Sequence, residues 1–279
     1  MIHLSAFADE ISPDLDEQIA VLERENIHFL DLRGVWNTNV LDLSDAQVRQ
    51  VKQTLDTQGI GVAAIGSPIG KVPVNSPFDE HLRRFERAIE LARIFETPFI
   101  RVFSFYPPYP PASATDGADP ARWRNEALRR LIEMTERARA AGVILLHENE
   151  KDIYGDTIAR CLDLLQNVDG LQAVFDPANF IQCGQTPYPD AYEQLQPWLR
   201  YVHVKDARAD SSVVAAGEGV SRWPELLTRL RQDGYGGFFS LEPHLASAGK
   251  YQGFSGPDLF HTASQALQRL LDEMGWQWE

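Results

Sequence analysis

Four polar residues stand at or near the ends of four successive apolar runs in the second half of the 279-residue chain. Glu148 follows Val143-Ile144-Leu145-Leu146-His147, Asp176 follows Gln172-Ala173-Val174-Phe175, His203 lies within Tyr201-Val202-His203-Val204-Lys205, and Glu242 follows Phe238-Phe239-Ser240-Leu241. Three carboxylates brought together repel one another; at ~4 Å and an effective dielectric of ~20, each pair costs ~4 kcal/mol. Either some of them protonate or a cation sits among them. Three carboxylates and an imidazole suit a divalent ion such as Mn²⁺, Mg²⁺, Co²⁺ or Zn²⁺.

The elements that must position these groups follow a regular rhythm. Short apolar runs alternate with longer amphipathic ones, giving strand candidates over 2–7, 28–33, 61–65, 99–103, 143–148, 172–176, 201–205 and 237–242. Helices are expected between them. Ser12 would cap the first, with Pro13 at its first position. Ser44 with Gln47 forms a capping box for the second, which stops near Gly59. Further helices are expected over 79–95 and 123–141, from an Asp156 cap to Asn167, over 190–199, from a Ser221 cap to Gln232, and from Pro257 onward. Eight units at a spacing of about 35 residues match one parallel βα step each. This is the arithmetic of an α/β protein with a single-domain (β/α)₈ TIM barrel. No GxGxxG follows the first strand and no GxxxxGK[ST] occurs, which weakens an open nucleotide-binding sheet.

In a barrel the mouth at the strand C-termini carries the chemistry. Side chains alternate along a strand, so if Ile144 and Leu146 point inward, Glu148 does too and His147 points toward the helices. Lys205 shares a face with His203 and could bind a hydroxyl, carboxylate or phosphate, or pair with Asp206 at the rim. Arg33 could clamp an anionic or polyhydroxyl substrate or make a structural ion pair. Trp36 and Phe103 could form an apolar wall, and His244 could line the pocket. Arg101 has the opposite parity to Val102. Glu150 shares the parity of Glu148 and is either a group that orients it from behind or simply a loop charge. The proline-rich segment Tyr106 to Pro120 reads as a long loop after the fourth strand.

Composition narrows the function. With 26 Lys plus Arg against 40 Asp plus Glu, the net charge is −14, which opposes a nucleic-acid partner. No run approaches the ~20 apolar residues of a membrane helix, and the N-terminus lacks a signal-like pattern. Two isolated cysteines, Cys161 and Cys183, fit a reducing cytoplasmic setting better than a disulfide framework.

The runs His147-Glu148-Asn149-Glu150, Phe175-Asp176-Pro177-Ala178-Asn179, Tyr201-Val202-His203-Val204-Lys205-Asp206 and Ser240-Leu241-Glu242-Pro243, together with Gly217-Glu218-Gly219, resemble the xylose-isomerase-like TIM barrels. These are the sugar phosphate isomerase/epimerase proteins, which share their fold with AP endonuclease family 2. The resemblance implies one divalent metal, Mn²⁺ foremost, held by Glu148, Asp176, His203 and Glu242. It also implies a small sugar, keto-sugar or polyol substrate flanked by Glu148 and Glu242 as the catalytic pair, and a barrel that is often a homo-oligomer. Many sugar epimerases of this group carry a His where this chain has Asn179, which can bind a substrate hydroxyl but cannot carry a proton at neutral pH. A lyase acting on a keto-inositol or keto-glycoside would need few changes. An endonuclease would need more histidines at the strand ends, and a non-catalytic sugar-binding barrel would show no turnover.

Overall fold

A computed structural model gives the fold and describes residues 1–109, 120–246 and 254–279. Eight strands are parallel: β1 His3–Ala6, β2 Phe29–Leu32, β3 Gly61–Ile65, β4 Phe99–Val102, β5 Ile144–Glu148, β6 Gln172–Phe175, β7 Leu199–Val204 and β8 Phe238–Leu241. Hydrogen bonding runs in the order β1-β8-β7-β6-β5-β4-β3-β2. At the remaining seam Ser5 of β1 donates to Asp31 of β2 at 2.7 Å. The sheet is therefore a nearly closed barrel, as the eight-unit rhythm predicts. Among the described residues no helix is long and apolar enough to cross a membrane.

Around it lie α1 Leu15–Arg24, α2 Asp45–Gln58, α3 Phe78–Ile94, α4 Arg124–Ala140, α5 Ile158–Asn167, α6 Pro177–Gln182, α7 Tyr192–Leu195, α8 Trp223–Gln232 and α9 Gly256–Glu273. The capping box of α2 forms as expected, and Gly59 ends it at φ 70°. Three other caps shift by one or two residues. Asp14, not Ser12, accepts the Glu17 N–H at 3.0 Å, and Ser12 instead donates to the Glu17 carboxylate at 2.5 Å. Thr157 caps α5 while Asp156 pairs with Arg160. Ser221 donates to Asp206 at 2.6 Å, and α8 follows Arg222, whose φ is 60°. The expected helix over 190–199 is broken into a turn at Pro187–Ala191, the single turn α7 and a 3₁₀ turn at Gln196–Trp198. Pro197 removes an N–H donor inside the expected helix, and Pro187 and Pro189 lie in the turn before it.

Phe29, Ala63, Phe99, Leu146, Val174, Tyr201 and Phe238 fill the lower barrel interior. Above them the interior turns polar. Asp31 is buried and accepts hydrogen bonds from Ser5, from Ser240 at 2.5 Å and from the Tyr201 hydroxyl at 2.9 Å. Burial raises its carboxyl pKa against the pull of His203 and these donors. Leu4, Leu30, Ile100, Leu145, Val202 and Phe239 join the outer core beneath the helices.

Two rim segments matter for the site. Tyr106 donates its N–H to Val72 O at 3.0 Å and accepts from Val74 at 2.9 Å, while Tyr109 N–H reaches Asn75 at 3.0 Å. The expected loop Tyr106 to Pro120 lies otherwise outside the described residues between 110 and 119. After β3, Gly70 carries φ +91°, and a Cβ there would stand 2.0 Å from Phe103 O. Its N–H donates to His81 Nε2 at 3.1 Å, and Phe103 N–H donates to Ile69 O at 2.8 Å. Gly70→Ala must therefore move the backbone that carries Lys71. We expect it to lower stability by about 3 kcal/mol in urea unfolding, against a surface glycine such as Gly142 as reference.

Candidate metal centre at the barrel mouth

Glu148 is the last residue of β5 and faces inward, and His147 faces the helices. His147 packs against Gly155 and is buried, which pushes its pKa down to about 4. Asp176 follows β6 and caps α6: Pro177 opens the helix and the Asn179 N–H donates to Asp176 Oδ1 at 2.9 Å. His203 faces inward from β7, and Glu242 follows β8, its N–H donating to Val204 O at 3.3 Å. One ligand atom from each of Glu148, Asp176, His203 and Glu242 lies within 4.8 Å of the others, and all four side chains are buried.

The carboxylate oxygens are divided between two tasks. Glu148 Oε1 and Glu242 Oε2 lie 3.5 and 3.6 Å from His203 Nδ1. The opposite oxygens are anchored: Arg101 Nη1 donates to Glu148 Oε2 at 3.0 Å and to Glu242 Oε1 at 3.3 Å, and Arg33 Nη1 donates to Glu242 Oε1 at 2.8 Å. Asp176 Oδ1 is anchored by the helix cap. His203 Nδ1 and Asp176 Oδ2 are buried with no hydrogen-bond partner, although Lys205 Nζ approaches Oδ2 to 2.8 Å as an ion pair. A buried imidazole nitrogen without a partner, converging with a buried aspartate and two anchored glutamates, is the donor set that a divalent cation completes, and the residues present fit one.

The electrostatics match this division. Burial opposes ionisation of Glu148, but His203 and Arg101 outweigh it and hold its pKa below the usual range. At Glu242 burial is outweighed by Lys205, His244 and His203. At Asp176 burial wins despite Lys205, and the carboxyl sits above its ordinary value. His203 is raised despite its burial, chiefly by Glu148.

The ancillary residues divide clearly. Lys205 is buried and enters the cluster, reaching Glu242 Oε2 at 3.4 Å as well as Asp176. It does not pair with Asp206, which accepts the Gly217 and Gly219 N–H groups at 3.0 Å and leaves Glu218 exposed. Asn179 donates to Glu148 Oε1 at 3.2 Å and to Asn149 O at 2.9 Å. Arg33 has all three nitrogens engaged, with Asp9, Glu10 and Glu242 at 2.7 to 3.0 Å. A substrate clamp there would have to displace one of them. His244 donates its N–H to Glu10 at 3.2 Å and places Nε2 2.9 Å from the same carboxylate, 3.9 Å from Glu242. Phe103 is fully buried, and its ring lies under Lys71 at 4.3 Å and near Arg101 at 5.0 Å, so it is a floor for cations and offers no open face to a sugar. Trp36 sits at φ 55° in a tight hairpin, its N–H on Pro13 O at 2.6 Å, packed against the outer core. Glu150 turns to the rim and joins Lys71 at 3.0 Å and Lys151 at 2.8 Å. These lysines overcome its burial and hold its pKa at about 2.

Four contributors escaped the sequence reading. Arg101 bridges both glutamates. Asn149 clamps β6 to β5, donating to Asp176 O at 2.9 Å and accepting the Asp176 N–H at 3.0 Å. Glu10 is a buried anchor for Arg33 and His244. Phe7 is a platform under the Arg33 and Arg101 guanidiniums at 4.7 and 4.6 Å, with His203 edge-on at 5.1 Å. The alternation of Phe99 with Arg101 was the available signal for the first of these.

Among curated proteins none matches the sequence. Solved structures share the fold at low identity. The probable 3-DHS dehydratase AsbF from Bacillus anthracis is 19% identical, with a TM-score of 0.72 over 96% of this chain and 99% of that one. D-psicose 3-epimerase from Clostridium cellulolyticum H10, solved with D-tagatose, is 15% identical, with a TM-score of 0.73 over 98% of each chain. A xylose isomerase-like TIM barrel protein from Mycobacterium smegmatis, in complex with magnesium, is 17% identical, with a TM-score of 0.72 over 98% and 97%. The family model described as xylose isomerase-like TIM barrel matches residues 26–271. That span runs from the start of β2 into α9 and takes in all four converging side chains, and the chain belongs to this family.

Proposed function

We propose that the protein is a divalent-metal-dependent isomerase or epimerase of a sugar, keto-sugar or related polyol. The observation that carries this is the convergence of Glu148, Asp176, His203 and Glu242, all buried, with His203 Nδ1 left without a hydrogen-bond partner. When bound, a divalent ion would polarise a substrate carbonyl and acidify the adjacent C–H. Glu148 and Glu242 are the two proton-handling groups. Their cationic neighbours keep both ionised, so either can accept a proton from carbon. Arg101, donating to both, fixes their orientation and faces the negative charge that proton removal creates. Return of a proton to the opposite face of the same carbon gives an epimer, and return to the neighbouring carbon gives an isomer. Asn179 holds Glu148 and cannot relay a proton.

The likeness to D-psicose 3-epimerase supports this reading. The dehydratase neighbour supports a second one, because the same proton abstraction expels water when a leaving group stands β to the carbanion. One experiment separates them. The purified protein, loaded with Mn²⁺, is incubated in D₂O with ketoses, keto-inositols and 3-keto-glycosides and followed by mass spectrometry. The expected result is about one divalent ion per chain and deuterium in a substrate of otherwise unchanged mass; loss of water identifies the dehydratase. A folded chain with no affinity for divalent ions would overturn both.

A further inference from the structure

The hydrogen-bonded order of the barrel begins with β1 and ends with β2, so side chains close it at that seam. At the mouth a central closing group is Glu10, in the 3₁₀ turn that follows β1. It is fully buried, and both of its oxygens are in use. Oε1 accepts from Arg33 Nη2 at 3.0 Å and stands 2.9 Å from His244 Nε2. Oε2 accepts from the His244 N–H at 3.2 Å and from the Ser255 hydroxyl at 3.1 Å. The Glu10 main-chain carbonyl accepts the Ser255 N–H at 3.2 Å. One residue thus ties the turn after β1 to the end of β2, the segment after β8 and the start of α9.

Glu242 lies between two of these ties. Arg33 holds Glu242 Oε1 at 2.8 Å through Nη1, while Glu10 holds Nη2 of the same guanidinium. Along the chain, the Glu242 N–H is fixed on Val204 O, and the His244 N–H, two residues on, is fixed by Glu10. A guanidinium is a rigid planar fork, so where Nη2 and Nε are held decides where Nη1 points. Nε is held by Asp9 Oδ2 at 2.7 Å, but Asp9 Oδ1 has no hydrogen-bond partner among the described residues. Of the two acids behind Arg33, Glu10 is the one that grips with both oxygens.

We propose that Glu10 is a positioning residue of the metal centre. It is not one of the four converging groups. Through Arg33 and His244 it sets the plane of the Glu242 carboxylate, so that Oε1 stays on the guanidinium and Oε2 is left for the cation. This rests on the metal-dependent reading above.

The probe is Mn²⁺ alone, read by titration for affinity and by electron paramagnetic resonance at saturation for coordination geometry. Glu10→Gln keeps the volume but leaves one acceptor oxygen where the structure uses two, so either the Arg33 side or the His244 and Ser255 side gives way. It should weaken Mn²⁺ binding by about tenfold or more, the scale of a lost group behind a metal ligand, and change the spectrum of the saturated site. Asp9→Asn removes a charge from the same guanidinium, yet its one oxygen can keep the bond to Nε. Its saturated spectrum should match that of the unmodified protein. Ser255→Ala loosens α9 and leaves the Arg33 contact, so its spectrum should match as well, even where urea unfolding shows lost stability. Arg33→Lys keeps the charge but cannot span Glu10 and Glu242 as a fork does, so it should change the spectrum too. It stands in for Glu10→Gln if circular dichroism shows that variant unfolded. An unchanged spectrum in Glu10→Gln or Arg33→Lys, or an equal change in Asp9→Asn or Ser255→Ala, overturns the inference and leaves the metal reading in place. Failure of the unmodified protein to bind Mn²⁺ overturns both.

Discussion

Glu242→Gln should reduce deuterium uptake from D₂O into a turned-over substrate by on the order of 10³-fold, the scale of a lost general acid–base group. Glutamine keeps the volume of the side chain but can neither take a proton from carbon nor offer two anionic oxygens. The position is demanding on both counts. Oε1 accepts from Arg33 at 2.8 Å and Arg101 at 3.3 Å, while Oε2 faces His203 at 3.6 Å and Lys205 at 3.4 Å. An amide there turns an NH₂ toward at least one cation. The same variant should also bind Mn²⁺ more weakly, which titration of the metal alone would read. Glu218→Gln is the control, since Glu218 is exposed on a loop that Asp206 holds through Gly217 and Gly219. Exchange in Glu242→Gln within about tenfold of the unmodified rate would remove Glu242 from the proton-handling role.

What the sequence made legible followed from periodicity. Strand parity places Glu148 inside the barrel and His147 outside it, and Asp176 ends a run whose next residue, Pro177, can only open a helix. These positions depend on backbone geometry within one strand or one turn. Contacts that depend on which strands become neighbours were not legible. Arg101 interrupts an apolar run, and only closure of the barrel shows it facing Glu148 and Glu242 from strands distant in sequence. Asp31 is of the same kind: its three hydroxyl donors come from β1, β7 and β8. Parity leaves Glu150 as either an orienting group or a loop charge. In the structure Glu150 is a rim charge on Lys71 and Lys151, and the Asn149 side chain, leaving the end of β5, holds the backbone of Asp176 just after β6. The caps failed where two polar residues competed for one helix start, and Asp14 and Thr157 won by standing three residues before the N–H they accept.

Arg101→Met should be the costliest single change to the metal-free protein. The guanidinium is buried, places Nη1 between Glu148 and Glu242, donates Nη2 to Gly66 O at 3.2 Å and lies over Phe7. Methionine restores much of the apolar volume but leaves two buried carboxylates with less compensating charge. Removing one partner of a buried ion pair typically costs about 3–5 kcal/mol, and here a single cation serves two anions. The deficit should appear in urea unfolding at neutral pH in the presence of a chelator. It should shrink when Mn²⁺ is saturating, because the ion supplies the missing positive charge and so binds the variant more tightly, and is linked more strongly to its stability, than in the unmodified protein. It should shrink as well when the pH is lowered. Without Arg101 one of the glutamates takes a raised pKa in the native state, so the native form binds more protons than the unfolded chain. Stability then falls as pH rises through that pKa and recovers below it. Equal deficits with chelator and with Mn²⁺ would mean that Arg101 acts through packing on Phe7 and Phe103, and the electrostatic account of the barrel mouth would fail with it.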